Sequence, residues 1–296
     1  MKRLLVAVGL CFGAVLAFAA APVDKVLTID LTEDTRLSQL PQEIACLQCN
    51  DVTNVVLQGG KKLTLDVNLD RYTGGWDIKS GTANLTAAEN GFGVYGDGAR
   101  IVISSTSSQL RMAGNVEIDK PVHFAATSDS ADLLYLNNPS QNNVFKRKVT
   151  VAGNWRFMGG GSFTTAGGFE QPHKESGNYK ITNAGNNSSW IVENEPIQID
   201  SWTVTYHKLQ LKVGGNRIRK YTATYNGAIQ VLCDNAFAED CPPSVTVAGT
   251  ADNYGSFYLY MNGHDVALGE PDLGDVAVDL RQHVHLLHGF DVPDVP

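Results

Sequence analysis

Two groups of residues in this sequence could do chemistry by type and spacing. The first is a set of carboxylates on alternating segments. In LTLDVNLD, Asp66 and Asp70 share one face of an extended chain, with Asn68 between them and Arg71 beside them. Glu117 and Asp119 flank Ile118, and Asp200 lies in IQIDSW. Neighbouring carboxylates can hold calcium or act as acid and base on a glycosidic bond. Alternation also puts polar side chains on a solvated face without any chemistry. The enzyme reading therefore requires two or three of these acids to converge with a Lys or Arg in a groove. The second group is RQHVHLLHGFD, where His283 and His285 share a strand face near His288 and Asp279. Two imidazoles at i and i+2 can meet one zinc or copper ion, but the spacing fixes no third ligand, and a polar structural cap is the plainer reading. The motifs GxSxG and HExxH, a phosphate loop, and GxGxxG before a helix are all missing, so no catalytic, cofactor or metal residue is assigned.

Cysteine and tryptophan offer further chemistry. Cys46 and Cys49 form CLQC, and Cys233 and Cys241 bracket DNAFAED. Local bridges are expected, 46 with 49 and 233 with 241, while cross-pairing would staple the two ends of the fold. A redox role for CLQC lacks its βαβ setting, and the second pair has the wrong spacing for a zinc ribbon. Trp76, Trp155, Trp190 and Trp202 can be sugar-stacking platforms or, at alternating positions, buried core. A lectin-like module requires at least two exposed rings on one concave face.

The compartment follows from the N-terminus. Lys2 and Arg3 precede an uncharged apolar run from Leu4 to Phe18, and Ala17 and Ala19 place small side chains before a cut after Ala19. That is the layout of a secretory signal peptide over residues 1–19. About 15 apolar residues fall short of the roughly 20 that span a bilayer, so no integral membrane span is expected after cleavage. The chain carries a net charge of −8, and removing two cations takes it to −10. Such a chain repels nucleic acid and anionic membranes. A hydrophobic content of 43% is too high for a disordered protein.

The elements that must position these residues are strands. Leu63, Leu65, Val67 and Leu69 alternate with polar neighbours, as do Trp202 and Val204, then Leu209, Leu211 and Val213. Further strands are predicted at 26–31, 100–105, 110–118, 147–153 and 256–261, with a short helical turn at 37–45. Glycine pairs such as Gly59-Gly60 and Gly214-Gly215 punctuate them. VTVAG occurs at 149–153 and 245–249, each time followed by GSF, a degenerate repeat that favours a stacked solenoid.

The cadence of LLYLNNPSQNNVFKRKVTVAGNWRFMGGGSFTTAGG, residues 133–168, resembles the autotransporter-associated β-strand repeats of bacterial secreted proteins. The resemblance implies a right-handed parallel β-helix; a β-sandwich or jelly roll is the alternative. The expected layout is a signal peptide at 1–19, an N-terminal linker and cap at 20–50, a β-solenoid at 51–275 and a C-terminal cap at 276–296. The expected function is a secreted or cell-surface structural or adhesive protein with a glycan, cell-surface or matrix partner. No cofactor, nucleic acid or catalysis enters that reading. Its alternatives are a carbohydrate-binding module and a β-helical polysaccharide lyase or hydrolase.

Overall fold

Strict alternation gives each short strand one apolar face, which has to be buried. Copies of such a segment can bury it by stacking on one another around a shared axis. The structure, a computed structural model, describes residues 25–137, 141–174, 179–183, 188–205, 207–224, 226–248, 256–264, 266–269 and 284–286. It is a β-solenoid of about nine coils in which every strand pairing is parallel. A sandwich or jelly roll, which is built from antiparallel pairs, is thereby excluded. The signal peptide lies outside the described residues, as does the tail from 276 except for Val284–Leu286.

Three columns of strands run along the axis. The first stacks Val26–Asp30, Asn54–Gln58, Gly75–Ile78, Ile101–Ile103, Val122–Phe124, Val149–Val151, Phe169–Glu170, Ile197–Val204 and Arg217–Ala223. The second runs from Thr35–Arg36 through Lys62–Leu65, Gly81–Leu85, Ser108–Met112, Leu134–Leu136, Trp155–Gly159 and Lys180–Asn183. It joins the first at Ile197–Val204, which pairs with strands of both columns, and ends at Ser244–Val247. The third runs from Glu117–Ile118 to Val284–Leu286. Coil length varies: Val26 lies opposite Asn54, 28 residues on, whereas Gln198 lies opposite Arg217, 19 residues on.

The segment read as an N-terminal cap carries the first coil itself from Val26 onward. The helical turn expected at 37–45 is a 3-10 turn, Leu37–Gln39, followed by helix α1, Pro41–Gln48. Pro41 starts α1 because its missing N–H and fixed φ suit a first helical position. Leu47 anchors the helix in the core. The strand expected over LTLDVNLD stops at Leu65, where the coil turns. The two VTVAG copies are not equivalent: Val149–Val151 belongs to the first column and Ser244–Val247 to the second.

Parallel pairing in register stacks each inward side chain on its counterpart in the next coil. One inward row of the first column reads Leu27, Val55, Trp76, Ile101, Val122, Val149, Phe169 and Ile197. Aromatic rings continue this inside the solenoid. Phe124, Trp155, Phe169, Trp190, Trp202, Tyr221 and Phe257 form an unbroken run with centroids 4.8–5.4 Å apart. All four tryptophans are at most 1% exposed, so they are core and not sugar platforms. Where coils turn, backbone meets backbone. Gly159 sits at φ +115°, and a Cβ there would lie 1.9 Å from the Leu136 carbonyl oxygen, so only glycine fits.

Trp190 is the densest node of the aromatic run, touching Phe157, Phe163, Phe169 and Trp202, with its indole N–H donating to Thr165 Oγ1 at 2.9 Å. Trp190→Ala is expected to lower unfolding free energy by about 3–5 kcal/mol in urea titrations of the full chain. An unchanged midpoint would show that these rings do not bear the load.

Candidate binding groove

The strand Arg217–Ala223 buries Ile218 and turns Arg217 and Arg219 outward, because residues two apart share a face. On the next strand Gln198 is outward between buried Ile197 and Ile199. These side chains separate two adjoining concavities. One, of about 280 Å³, is lined by Lys148, Glu170, Glu195, Gln198 and Arg217 among others. The other, of about 230 Å³, is lined by Gln171, His173, Gln198, Ile199, Asp200, Arg217, Arg219 and Cys241.

Asp200 forms the floor of the second concavity. Ile197–Val204 turns from the first column into the second here, and the alternation breaks: Ile199, Asp200, Ser201 and Trp202 are all buried. The Asp200 carboxylate accepts from His173 Nδ1 at 2.8 Å and from the Tyr179 backbone N–H at 2.6 Å. Its backbone N–H donates to Gln171 Oε1 at 3.0 Å, and Gln171 Nε2 donates to the Gly153 carbonyl at 3.0 Å. A buried carboxylate needs such donors. Arg219 packs against the same imidazole, its Nη1 2.5 Å from His173 Nε2 and 2.7 Å from Nδ1.

The other sequence-selected acids do not join this site. Asp66 accepts from the Ser38 backbone N–H at 3.0 Å and from its hydroxyl at 2.7 Å, with Arg36 at 3.5 Å. Burial alone would raise its carboxyl, but the Ser38 donors outweigh burial and hold it below the usual value. Asp70 accepts from Asn90 Nδ2 at 2.8 Å. Glu117 pairs with Lys146, and Asp119 with Arg147 at 2.9 Å. The five are thus dispersed, each on its own partner. Among the described residues no three His, Cys, Asp or Glu side chains cluster as a metal site. His283 and His288 lie outside the described residues, and for His285 only the backbone is placed, opposite Tyr258. Cys46 and Cys49 are exposed on and just after α1, Cys233 and Cys241 are half-buried, and all four are free thiols. Tyr258 and Tyr260, stacked with centroids 6.4 Å apart, lie on the third column, whereas the groove lies on the first. No helix among the described residues is long and apolar enough to cross a membrane.

Sequence reasoning missed His173, Gln198, Arg217 and Arg219. The available signal was RIRK at 217–220, three cations in four residues of an acidic chain. It also missed two buried bases. Lys120 is fully buried, and burial lowers its amine to about 8, with Asp119 opposing. Its Nζ donates to the Val94 and Tyr72 carbonyls and lies 5.2 Å from the Tyr72 ring centre, so it clamps two loops. His207 is boxed by Phe157 and Trp202 at 5.3 Å and Phe163 at 6.4 Å, and burial lowers its imidazole to about 3. No protein-family model, no curated protein and no solved structure matches the chain.

The buried imidazole makes the fold acid-sensitive. Above pH 6.5 both folded and unfolded chains hold His207 neutral, and it contributes no pH dependence. As pH falls from 6.5 toward 3, only the unfolded chain takes the proton, and stability drops by about 1.4 kcal/mol per pH unit. Between pH 7.5 and pH 4.5, His207→Phe is therefore expected to lose about 2–3 kcal/mol less stability than the parent. Equal losses in urea titrations of the two proteins would show that His207 protonates freely in the folded state.

Proposed function

We propose that this chain is a secreted or cell-surface β-helical protein with a structural or adhesive role. It presents its outer faces to a cell, matrix or glycan partner and carries out no catalysis. The observation that carries this reading is the use made of the charged side chains. Lys148 meets Glu170 at 3.0 Å, Arg147 meets Asp119 at 2.9 Å, Lys212 meets Glu193 at 3.3 Å and Arg217 meets Asp240 at 2.8 Å. Each pair joins residues on neighbouring coils, 19 to 28 positions apart. Acids deployed as coil-to-coil links suit a surface meant to persist better than a reaction centre. The likeness of residues 133–168 to autotransporter-associated repeats, which belong to secreted β-helices, supports the same reading. In an oxidising compartment the expected bridges are Cys46 with Cys49 and Cys233 with Cys241.

A carbohydrate-binding role is the second reading, and the groove favours it. Gln198, Arg217, Arg219 and His173 present planar hydrogen-bonding groups of the kind that grip pairs of hydroxyls. The experiment is a binding survey of the chain from Ala20 onward over intact cells, matrix preparations and a glycan array, with and without chelator. Saturable retention unaffected by chelator, with every polysaccharide left at full length, is the expected result. Shortened chains or new unsaturated ends would overturn the non-catalytic reading.

A further inference from the structure

We propose that the concavity beside Arg219 seats a single carboxylate-bearing sugar unit, so that the glycan held here carries isolated acidic residues. This rests on the carbohydrate-binding form of the reading above and names the chemistry of its ligand.

The first observation is a convergence of two bases. The Arg219 guanidinium and the His173 imidazole are in contact, and among the described residues Arg219 has no carboxylate partner. Asp200, fully buried, is engaged by His173 Nδ1 and the Tyr179 N–H, and Arg219 is not among its ion-pair partners. Asp200 thus fixes the ring against which the Arg219 guanidinium packs. A guanidinium that lines the concavity and that no carboxylate among the described residues engages presents donors in the fork that matches a carboxylate.

The second observation concerns the remaining wall. Arg217 is held at the rim by both oxygens of Asp240, each at 2.8 Å, so its charge is already spent. Among the residues that line this concavity, Arg219 is thus the one cation without a carboxylate partner, which fits one acidic group and not a row of them. Gln198, opposite Arg217 on the adjacent strand, supplies an amide for a ring hydroxyl. The volume, about 230 Å³, lies below the roughly 300 Å³ at which pockets begin to take drug-sized molecules, and suits one ring of a longer chain.

The third consideration is the field of the whole protein. A chain with a net charge of −8 opposes a densely charged polyanion but tolerates a mostly neutral glycan with a sparse acid. Local recognition and global repulsion together select a uronate-type unit within a neutral chain.

The test is calorimetric titration of the mature chain with four probes. These are a neutral oligosaccharide carrying one uronate, the same oligosaccharide with its carboxylate reduced to an alcohol, a sulfated oligosaccharide and inorganic sulfate. The uronate probe is expected to bind, and the reduced one to bind at least ten times more weakly. Arg219→Gln, at an exposed position that leaves the fold intact by circular dichroism, is expected to weaken uronate binding at least tenfold. Arg219→Lys should restore part of it, because an ammonium lacks the fork. Equal affinity of parent and Arg219→Gln, equal binding of the reduced probe, tighter binding of the sulfated probe, or inorganic sulfate binding as well as the uronate would each overturn the proposal. Silence of all four probes while the parent still adheres to cells or matrix overturns this site and leaves the adhesive reading standing. A parent that adheres to nothing overturns the adhesive reading itself.

Discussion

In-register parallel stacking is the constraint on which the rest of this structure depends. Strands about 4.8 Å apart leave no freedom for an inward side chain to avoid the one above it. Inward positions are therefore mostly apolar, with buried exceptions such as Asn183, opposite Phe157, and His207, and adjacent residues must fit in shape. Ile101 sits on Trp76 and beneath Val122, and Phe157 sits on Leu134. Where one coil carries a large ring, the next carries a ring beside it or a smaller aliphatic group. The aromatic run from Phe124 to Phe257 is the result of that fitting carried through successive coils. The outward row has no such demand, and it reads Thr28, Val56, Asp77, Val102, His123, Thr150, Glu170, Gln198 and Arg217. Most of the charged side chains lie on that side, with Lys120, Asp200 and His207 as buried exceptions.

The same constraint decides how charge is used. A charged side chain on an outer face has neighbours above and below at fixed distance, so like charges in adjacent coils repel and unlike charges pair. The observed pairs are exposed, and each is worth at most about 1 kcal/mol. Their number does not make the fold stable, but they oppose slippage of one coil against the next, because a shift of register would bring different charges together. Acids that look like candidate catalytic pairs in the sequence are drawn into this duty one at a time. Glu117 and Asp119 are only two positions apart, yet they pair with Lys146 and Arg147 of the following coil.

The fold was legible in the sequence because alternation and glycine punctuation are local signals, and a strand such as Val26–Asp30 is visible from five residues. The coil period was not legible, because one turn takes anywhere from 19 to 30 residues, and the excess goes into loops with no pattern of their own. The VTVAG repeat pointed to a stacked solenoid, which is the fold, but its two copies lie in different columns and so mark no coil period. Asp66 and Asp70 shared a face only on the assumption that the strand ran past Leu65. Leu69 nevertheless stays apolar and buried, because the turn it occupies also faces the core. The groove was hidden for a different reason. His173, Asp200 and Arg219 are 27 and 46 residues from their partners, a separation set by two coils of unequal length.

That groove arises where the solenoid is least regular. Ile197–Val204 is the first strand that spans two columns, and it must bend between them. A bend breaks the inward–outward alternation, so one residue at the corner is buried whatever its polarity, and here that residue is Asp200. Burying a carboxylate is costly unless donors surround it. His173 and the Tyr179 N–H supply them. The imidazole that satisfies the acid is thereby fixed at the surface beside an arginine of the next coil. A local defect in the stacking, compensated by a polar network, thus places the most elaborate set of hydrogen-bonding groups on an otherwise repetitive face.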